Sequence, residues 1–472
     1  MKLCLYIHIL LCFLLCGLLY SCQKELYSTG ASDVLTFSSD TVIFDTIFTD
    51  RATITHRFKV YNRNKGTVKI DEIYMAQSAK SEFFMNVNGA SGPSVRNMEL
   101  AAGDSMYIFV QAKLQENAID TPRLHKDSLL LRYNNRSDKI ILAAWGQDAH
   151  VLRGTTLEEN TTWSGRKPYV IFDSLVVAEN QTLTIEEGVS VYVHNKANII
   201  VRGSLRVQGS LVQPVLFTSD RLEANFRFIP GQWGSILFEE TSTNNAISYA
   251  IIRNGSNGLI INAKQNQVSV HIANTQILNM SVHAIFATNA ALTCFNTVLA
   301  DCGGYLAALH GGQFAFTHTT LSNSGAVAGR NTITSVFVSN MNAAQQEEIP
   351  LETSYFRNSI ISGSYRNEIQ IKTKTAGDVL PMVFDNCLLR QTFTEKDAVY
   401  YSENTFITNI AQPLFSNVAA TPFSLAPRSM AINIGKLEYA TGFEFDILNH
   451  SRILDEKPDA GAYEFFEYEG EK

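Results

Sequence analysis

The chain has 472 residues, enough for several domains, with 38 Lys and Arg against 45 Asp and Glu and a formal charge of −7. That balance leaves no basic patch of the kind nucleic-acid binding requires. Apolar content of 45% and aromatic content of 10% are those of an ordinary folded body.

Met1-Lys2 precedes a largely apolar run from Leu3 to Leu19, which closes on Leu19-Tyr20-Ser21-Cys22. A positive start, an apolar middle and a small residue at the break describe a secretory signal over residues 1–21. The run is shorter than the roughly 20 residues a bilayer-spanning helix needs. Its ending resembles the bacterial lipobox, which implies lipidation of Cys22 and a chain held to a membrane by several acyl groups. Gln23 stands where an aspartate would resemble the inner-membrane retention signal, so the resemblance implies an outer-membrane lipoprotein, with the exposed leaflet left open. After removal of the signal only Cys294, Cys302 and Cys387 remain besides Cys22, an odd count that leaves at least one free thiol. Their spacing suits no zinc site, so they read as buried small hydrophobes; neither a metal nor a cofactor is expected.

Residues 22–32 read as a lipidated polar tether. From 33 to 150 short alternating runs such as His56-Arg57-Phe58-Lys59-Val60-Tyr61 and Met106-Tyr107-Ile108-Phe109-Val110 are separated by turn-formers. Six or seven short strands with regular turns predict a β-sandwich. Val60-Tyr61-Asn62, the Gly103-Asp104 turn before a strand and the closing Ala143-Ala144-Trp145-Gly146 resemble immunoglobulin-like modules of the abnormal-spindle/hydin type. Such modules are spacers or binding platforms. Five Asp-Ser/Thr-apolar triplets place hydroxyls at Thr41, Thr46, Ser105, Ser128 and Ser174, and resemble O-glycosylation sites of exported bacterial proteins.

Residues 151–169 read as a linker, and 170–395 as a solenoid. One phrase recurs there: small polar, variable, branched apolar, variable, then Asn or a substitute. Ala250-Ile251-Ile252-Arg253-Asn254, Thr275-Gln276-Ile277-Leu278-Asn279 and Thr297-Val298-Leu299-Ala300-Asp301 are examples. The reference residues Ile252, Ile277, Leu299, Leu321, Ile360 and Leu388 fall mostly 22 to 28 apart. A β-prone unit of that size cannot bury its own apolar face and must stack on its neighbours. With side chains alternating along a strand, the reference residue points inward. Tyr249, Asn274, Asn296, His318, Arg357 and Asp385, three places earlier, point outward to solvent; Asn254, Asn279, Asp301, Asn323 and Ser362 turn a corner. The phrases resemble the right-handed parallel β-helix of the pectin-lyase-like superfamily, and Asp446, Arg452 and Pro458-Asp459-Ala460-Gly461-Ala462-Tyr463-Glu464 resemble its closing cap, here 396–472. The fold expected is all-β, an immunoglobulin-like sandwich followed by a capped right-handed β-helix. A cap is required physically, since the last coil otherwise presents an open edge.

Enzymes on this fold mostly cleave polysaccharides, and hydrolysis needs paired carboxylates. Between Thr241 and Gln345 the only carboxylate is Asp301, which falls in the corner row. His271, His283, His310 and His318 occupy four different columns of the repeat and do not converge. Of the basic residues, His283, His310 and Arg330 are the catalytic candidates if the chain is a polysaccharide lyase or glycoside hydrolase. Phe226 and Phe228, in an insertion before Trp233, and the pair Tyr400-Tyr401 are candidates for stacking on sugar rings. The reading favoured is a membrane-tethered, non-catalytic module that binds polysaccharide or serves a structural role.

Overall fold

The computed structural model describes residues 26–118, 120–263, 268–324, 334–407, 412–416, 422–454 and 456–466. They fall into two compact units, Met1–Asp148 and Ala149–Lys472. The first unit is a sandwich of two five-stranded sheets. One sheet holds, in spatial order, Leu35–Phe37, His56–Asn62, Ser105–Ala112, Phe83–Val87 and Ala90–Gly92. The other holds Thr41–Phe48, Arg136–Gln147, Arg123–Tyr133, Val68–Met75 and Ser94–Leu100. Alternation does the work: Met106, Ile108, Val110 and Ala112 point into the core, while Tyr107, Phe109 and Gln111 point out. Ten strands replace the expected six or seven because pieces as short as Leu35–Phe37 and Ala90–Gly92 carry no alternation of their own.

The described part of the tether is not free. Ser28 donates its N–H to the Thr67 carbonyl, and Thr67 returns one to Leu26. Gly66 is needed for this approach, since a Cβ there would lie 2.5 Å from the Leu26 oxygen.

The second unit is a parallel β-helix of 26 strands. Each complete coil contributes one strand to each of three faces, as in Ala250–Arg253 (first face), Leu259–Asn262 (second) and Val268–Ala273 (third). Inward residues fill a continuous core that includes Ile199, Ile236, Leu259 and Ile285 on the second face. The segment read as a linker is its first coil: His150–Leu157 pairs with Tyr169–Val177, and Thr161–Trp163 with Thr182–Glu186. Its polar composition reflects an exposed terminal coil; Trp163, stacked on Tyr169 at 4.2 Å, enters the core, and Leu152, Leu157 and Tyr169 pack against it.

The repeat register holds for four coils and then slips. Ile252, Ile277, Leu299 and Leu321 stand in one inward column, but the next members are Ile361 and Leu389, not Ile360 and Leu388. Ile360 and Leu388 point outward and pack under Leu425, Ala431 and Ala460 of the C-terminal segment. The same segment covers Val298 and Ala300 with Ile447, Ala462 and Tyr463. The closing segment is therefore a lateral clasp along the first face, beyond any sealing of the last coil's edge.

That clasp changes the corner rows too. Tyr249, Asn274, Asn296, His318, Asn358 and Asn386 all adopt positive φ and form one corner; Asn254, Asn279 and Asp301 form a second. Asn296, His318 and Asn358 are buried beneath the clasp, not solvent-facing as their polarity suggests. Arg452 ties the clasp down. Fully buried, it donates to Glu464 and Asn296, each at 3.0 Å, and to the Gly461 carbonyl at 3.1 Å. Asp446 and Asp459 spend their oxygens on backbone N–H groups of Leu448, His450, Glu464, Asn433 and Phe465. These acids hold turns; they do not face a substrate.

Candidate functional site

The insertion between the strands Val215–Ser219 and Ile236–Phe238 rises from a corner of the coil and is pinned to it. Asn254 donates its side-chain amide to the Arg227 carbonyl and Asn279 donates to the Phe228 carbonyl, each at 3.0 Å. Gln232 closes the loop on itself by donating to the carbonyls of Phe226 and Ile229. Its backbone N–H bonds Asn254, and that of Gly231 bonds Gly255. Inside the loop the Arg221 guanidinium lies 3.7 Å from the Phe226 ring centre, so Phe226 is half-buried and internally used. Phe228 is 75% exposed on this fixed frame, beside Ile229 at 43%. Leaving a phenyl ring in water forgoes roughly 1.5–3 kcal/mol of burial. A pinned loop that holds one there has the form of a binding element.

Gly231 lies against Ser281, so the loop runs alongside the turn that carries Val282 and His283. From there an aromatic lattice continues over the second face. His283 stacks on Tyr305 at 5.4 Å and on Phe286 at 5.5 Å. Phe286 also meets His310 at 5.2 Å, and Phe337 meets both Tyr305 and His310 at 5.4 Å. Phe286 belongs to an outward apolar column that runs Val176, Ile200, Leu237, Ile260, Phe286, Ala308, Phe337.

His283 and His310 thus share one patch, although their offsets in the repeat differ. His283 sits in the turn before a second-face strand and His310 near the middle of the long strand Ala307–Thr317, and both flank Phe286. Their chemistry is that of neutral aromatic rings. Burial pushes His283 down to about 4, and the Tyr305 N–H donates to its Nδ1 at 2.9 Å. Burial also lowers His310, whose Nδ1–H donates to the Met341 carbonyl. The backbone thus takes up Nδ1 of both rings. Of the other histidines, His271 is exposed on the third face against Thr293, and His318 accepts from Asn358 beneath the clasp.

Arg330 and Cys22 lie outside the described residues. Asp301 turns the corner at φ 53° and accepts a hydrogen bond from Ser324. Tyr400 is buried, with its hydroxyl accepting from the Leu380 N–H, so it offers no open ring. Tyr401 is half-buried against Phe384, Phe393 and Phe406, and both tyrosines edge a cleft of about 430 Å³ that also includes Asp378 and Asp397. Trp233 is fully buried and donates to the Arg253 carbonyl, which is a packing role. Thr41, Thr46, Ser105, Ser128 and Ser174 are all half-buried in strands, with the Ser174 hydroxyl accepting from Asn198. Cys294, Cys302 and Cys387 are buried free thiols, and burial pushes Cys302 and Cys387 up to about 12. Among the described residues no group of three His, Cys, Asp or Glu is placed to hold a metal ion.

Phe286, Tyr305 and Phe337 are the residues that sequence reasoning missed. The signal was there: Ile260, Phe286, Ala308 and Phe337 recur at coil spacing, one place after inward residues. It emerges only when the second strand of each coil is aligned as well as the first.

A pectate-lyase-like β-helix domain model matches residues 154–257. No curated protein matches the chain. Three solved structures are similar in part. A family 123 glycoside hydrolase from Clostridium perfringens is 7% identical, with 24% of this chain and 25% of that chain covered and a TM-score of 0.18. The catalytic unit of a GH87 alpha-1,3-glucanase from Streptomyces thermodiastaticus is 10% identical over 74% and 82%, with a TM-score of 0.29. The Agl-KA catalytic domain is 11% identical over 78% and 89%, with a TM-score of 0.24. The chain spans only a quarter of the first of these, and likenesses this distant say nothing about activity.

Proposed function

We propose that the protein is a lipid-anchored module of the bacterial outer membrane that binds polysaccharide on its β-helix without cleaving it. The observation that carries this reading is Phe228, exposed on a loop that Asn254, Asn279 and Gln232 hold rigid beside the His283–Tyr305 stack. A fixed aromatic ring meets a sugar face at little entropic cost. The half-buried His283 ring near this loop adds flat surface, whereas His310 is buried behind it. Arg227 next to Phe228 and the half-buried Arg253 nearby place positive charge at the same corner. Anchoring through Cys22 would hold this surface at the envelope.

The test is gel filtration of the protein with acidic and neutral polysaccharides, read for co-elution and for chain length. Co-elution with chains of unchanged length is expected, weakened about five-fold in Phe228→Ala, in line with roughly 1 kcal/mol for one stacked ring. Shortened chains, or binding untouched by Phe228→Ala, would overturn the reading. Labelling with radioactive palmitate, lost in Cys22→Ser, tests the anchor.

A further inference from the structure

The sandwich carries a second surface that its fold does not require. Outward positions of its first sheet bring together Phe84 opposite Gln111, Asn86 and Arg57 opposite Phe109, and Lys59 opposite Tyr107. Phe84 is 54% exposed and Tyr107 39%. A cleft of about 410 Å³ opens here, with Phe84 and Phe109 among its walls beside Asn86, Gln111, Thr55 and Ser91. That volume is within the roughly 300–1,000 Å³ of small-ligand sites. Its polar groups are preset: Gln111 donates to the Thr55 hydroxyl at 2.8 Å and Asn86 to the Ser91 hydroxyl at 2.7 Å.

Cations stand outside the cleft on the same sheet face, Arg57 opposite its wall residue Phe109. Lys59 Nζ stands 4.7 Å and the Arg57 guanidinium 5.4 Å from the Tyr107 ring centre, with Arg63 5.4 Å from Tyr61. Cross-strand pairing of this kind accounts for Tyr107, but it leaves Phe84 unexplained. No carboxylate lines the cleft. Glu82 lies between the wall residues Ser81 and Phe83, with its carboxylate taken up by the Gln115 N–H and His125, while Glu99 and Asp104 edge an adjoining smaller cleft that shares Phe109.

We propose that this sheet face is a second carbohydrate site, independent of the β-helix, that takes an anionic, uronate-containing polysaccharide. Phe84 and Phe109 supply the stacking floor, and Asn86, Gln111 and Thr55 meet sugar hydroxyls. Arg57 and Lys59 meet the carboxylates.

Affinity electrophoresis of the whole protein through native gels containing polygalacturonate, alginate or chondroitin sulfate tests this, with dextran as the neutral reference. Retardation by at least one anionic polymer, weakened by salt, is expected. Arg57→Glu with Lys59→Glu should lower that affinity about ten-fold or more. Phe84→Ala should lower it about five-fold. Phe228→Ala should leave a salt-sensitive component in place. All substitutions are on the surface, and matching thermal midpoints establish that each variant folds. No retardation by any of the three polymers, retardation unchanged in the charge-reversed variant, or loss confined to Phe228→Ala overturns the proposal. The last of these outcomes leaves the β-helix reading standing.

Discussion

The first and second faces of the β-helix are both apolar on the outside, yet they are finished differently. On the first face Val298, Ala300, Ile360 and Leu388 are buried by the C-terminal clasp. On the second, Val176, Ile200, Leu237, Ile260 and Phe286 stay half-exposed, while the later members Ala308 and Phe337 are buried. An outward apolar column therefore does not reveal its own cover: the first face is covered at Val298, Ala300, Ile360 and Leu388, and the second stays open from Val176 to Phe286. The difference lies in the closing segment, whose Ile447, Leu425 and Tyr463 have no counterpart over Val176 to Phe286 among the described residues.

Breaking the covered face should have the largest effect. Arg452→Ala strips the cation from the buried Asp446 and from the nearly buried Glu464, which burial raises to about 8, and should destabilise the second unit by about 3–5 kcal/mol in denaturant unfolding. Ile360→Ala opens a cavity under Leu425 and should lower stability by about 2–4 kcal/mol in the same measurement. Titration sharpens the comparison from the open side. His283 is held neutral, with its folded value near 4 against an ordinary 6.5. Its contribution is present above 6.5 and is lost as pH falls from there toward 4, because the unfolded chain binds the proton first. Thermal midpoints should decline across that window, and His283→Phe, which keeps a ring against Tyr305, should make the decline shallower. The smallest effect belongs to the open column: Ile260→Ser should change stability by less than about 1 kcal/mol. A loss as large as that of Ile360→Ala would mean that the two faces do not differ.

How much the residues disclosed follows the same division. The inward column Ile252, Ile277, Leu299 and Leu321 was legible because each stands two places after a small residue and two before an Asn or Asp. Ile360-Ile361 and Leu388-Leu389 were not, because both members of each pair are buried, one in the core and one under the clasp. No single-strand pattern can tell which is which. The Asn corner at Asn254 and Asn279 was legible as a turn, while its second use, gripping the loop that presents Phe228, depends on an insertion from the coil before. The meeting of His283 with His310 was hidden for a related reason. One lies in a turn and the other in a strand, and their shared neighbour Phe286 belongs to a column that the first-face repeat does not track.

The clasp also bears on how the solenoid comes apart. Stacked coils ordinarily bond only to their immediate neighbours, so such a fold frays unit by unit from either end. Here one segment fastens Gln276, Asn296, Thr320, Asn358 and Leu388, which lie on or at the corner before five successive first-face strands, to a single body around Arg452. Under tension from the N-terminal side, the early coils can peel away one at a time. The later ones are stapled into a block that must rupture as a whole, like the bound spine of a book whose first pages turn freely.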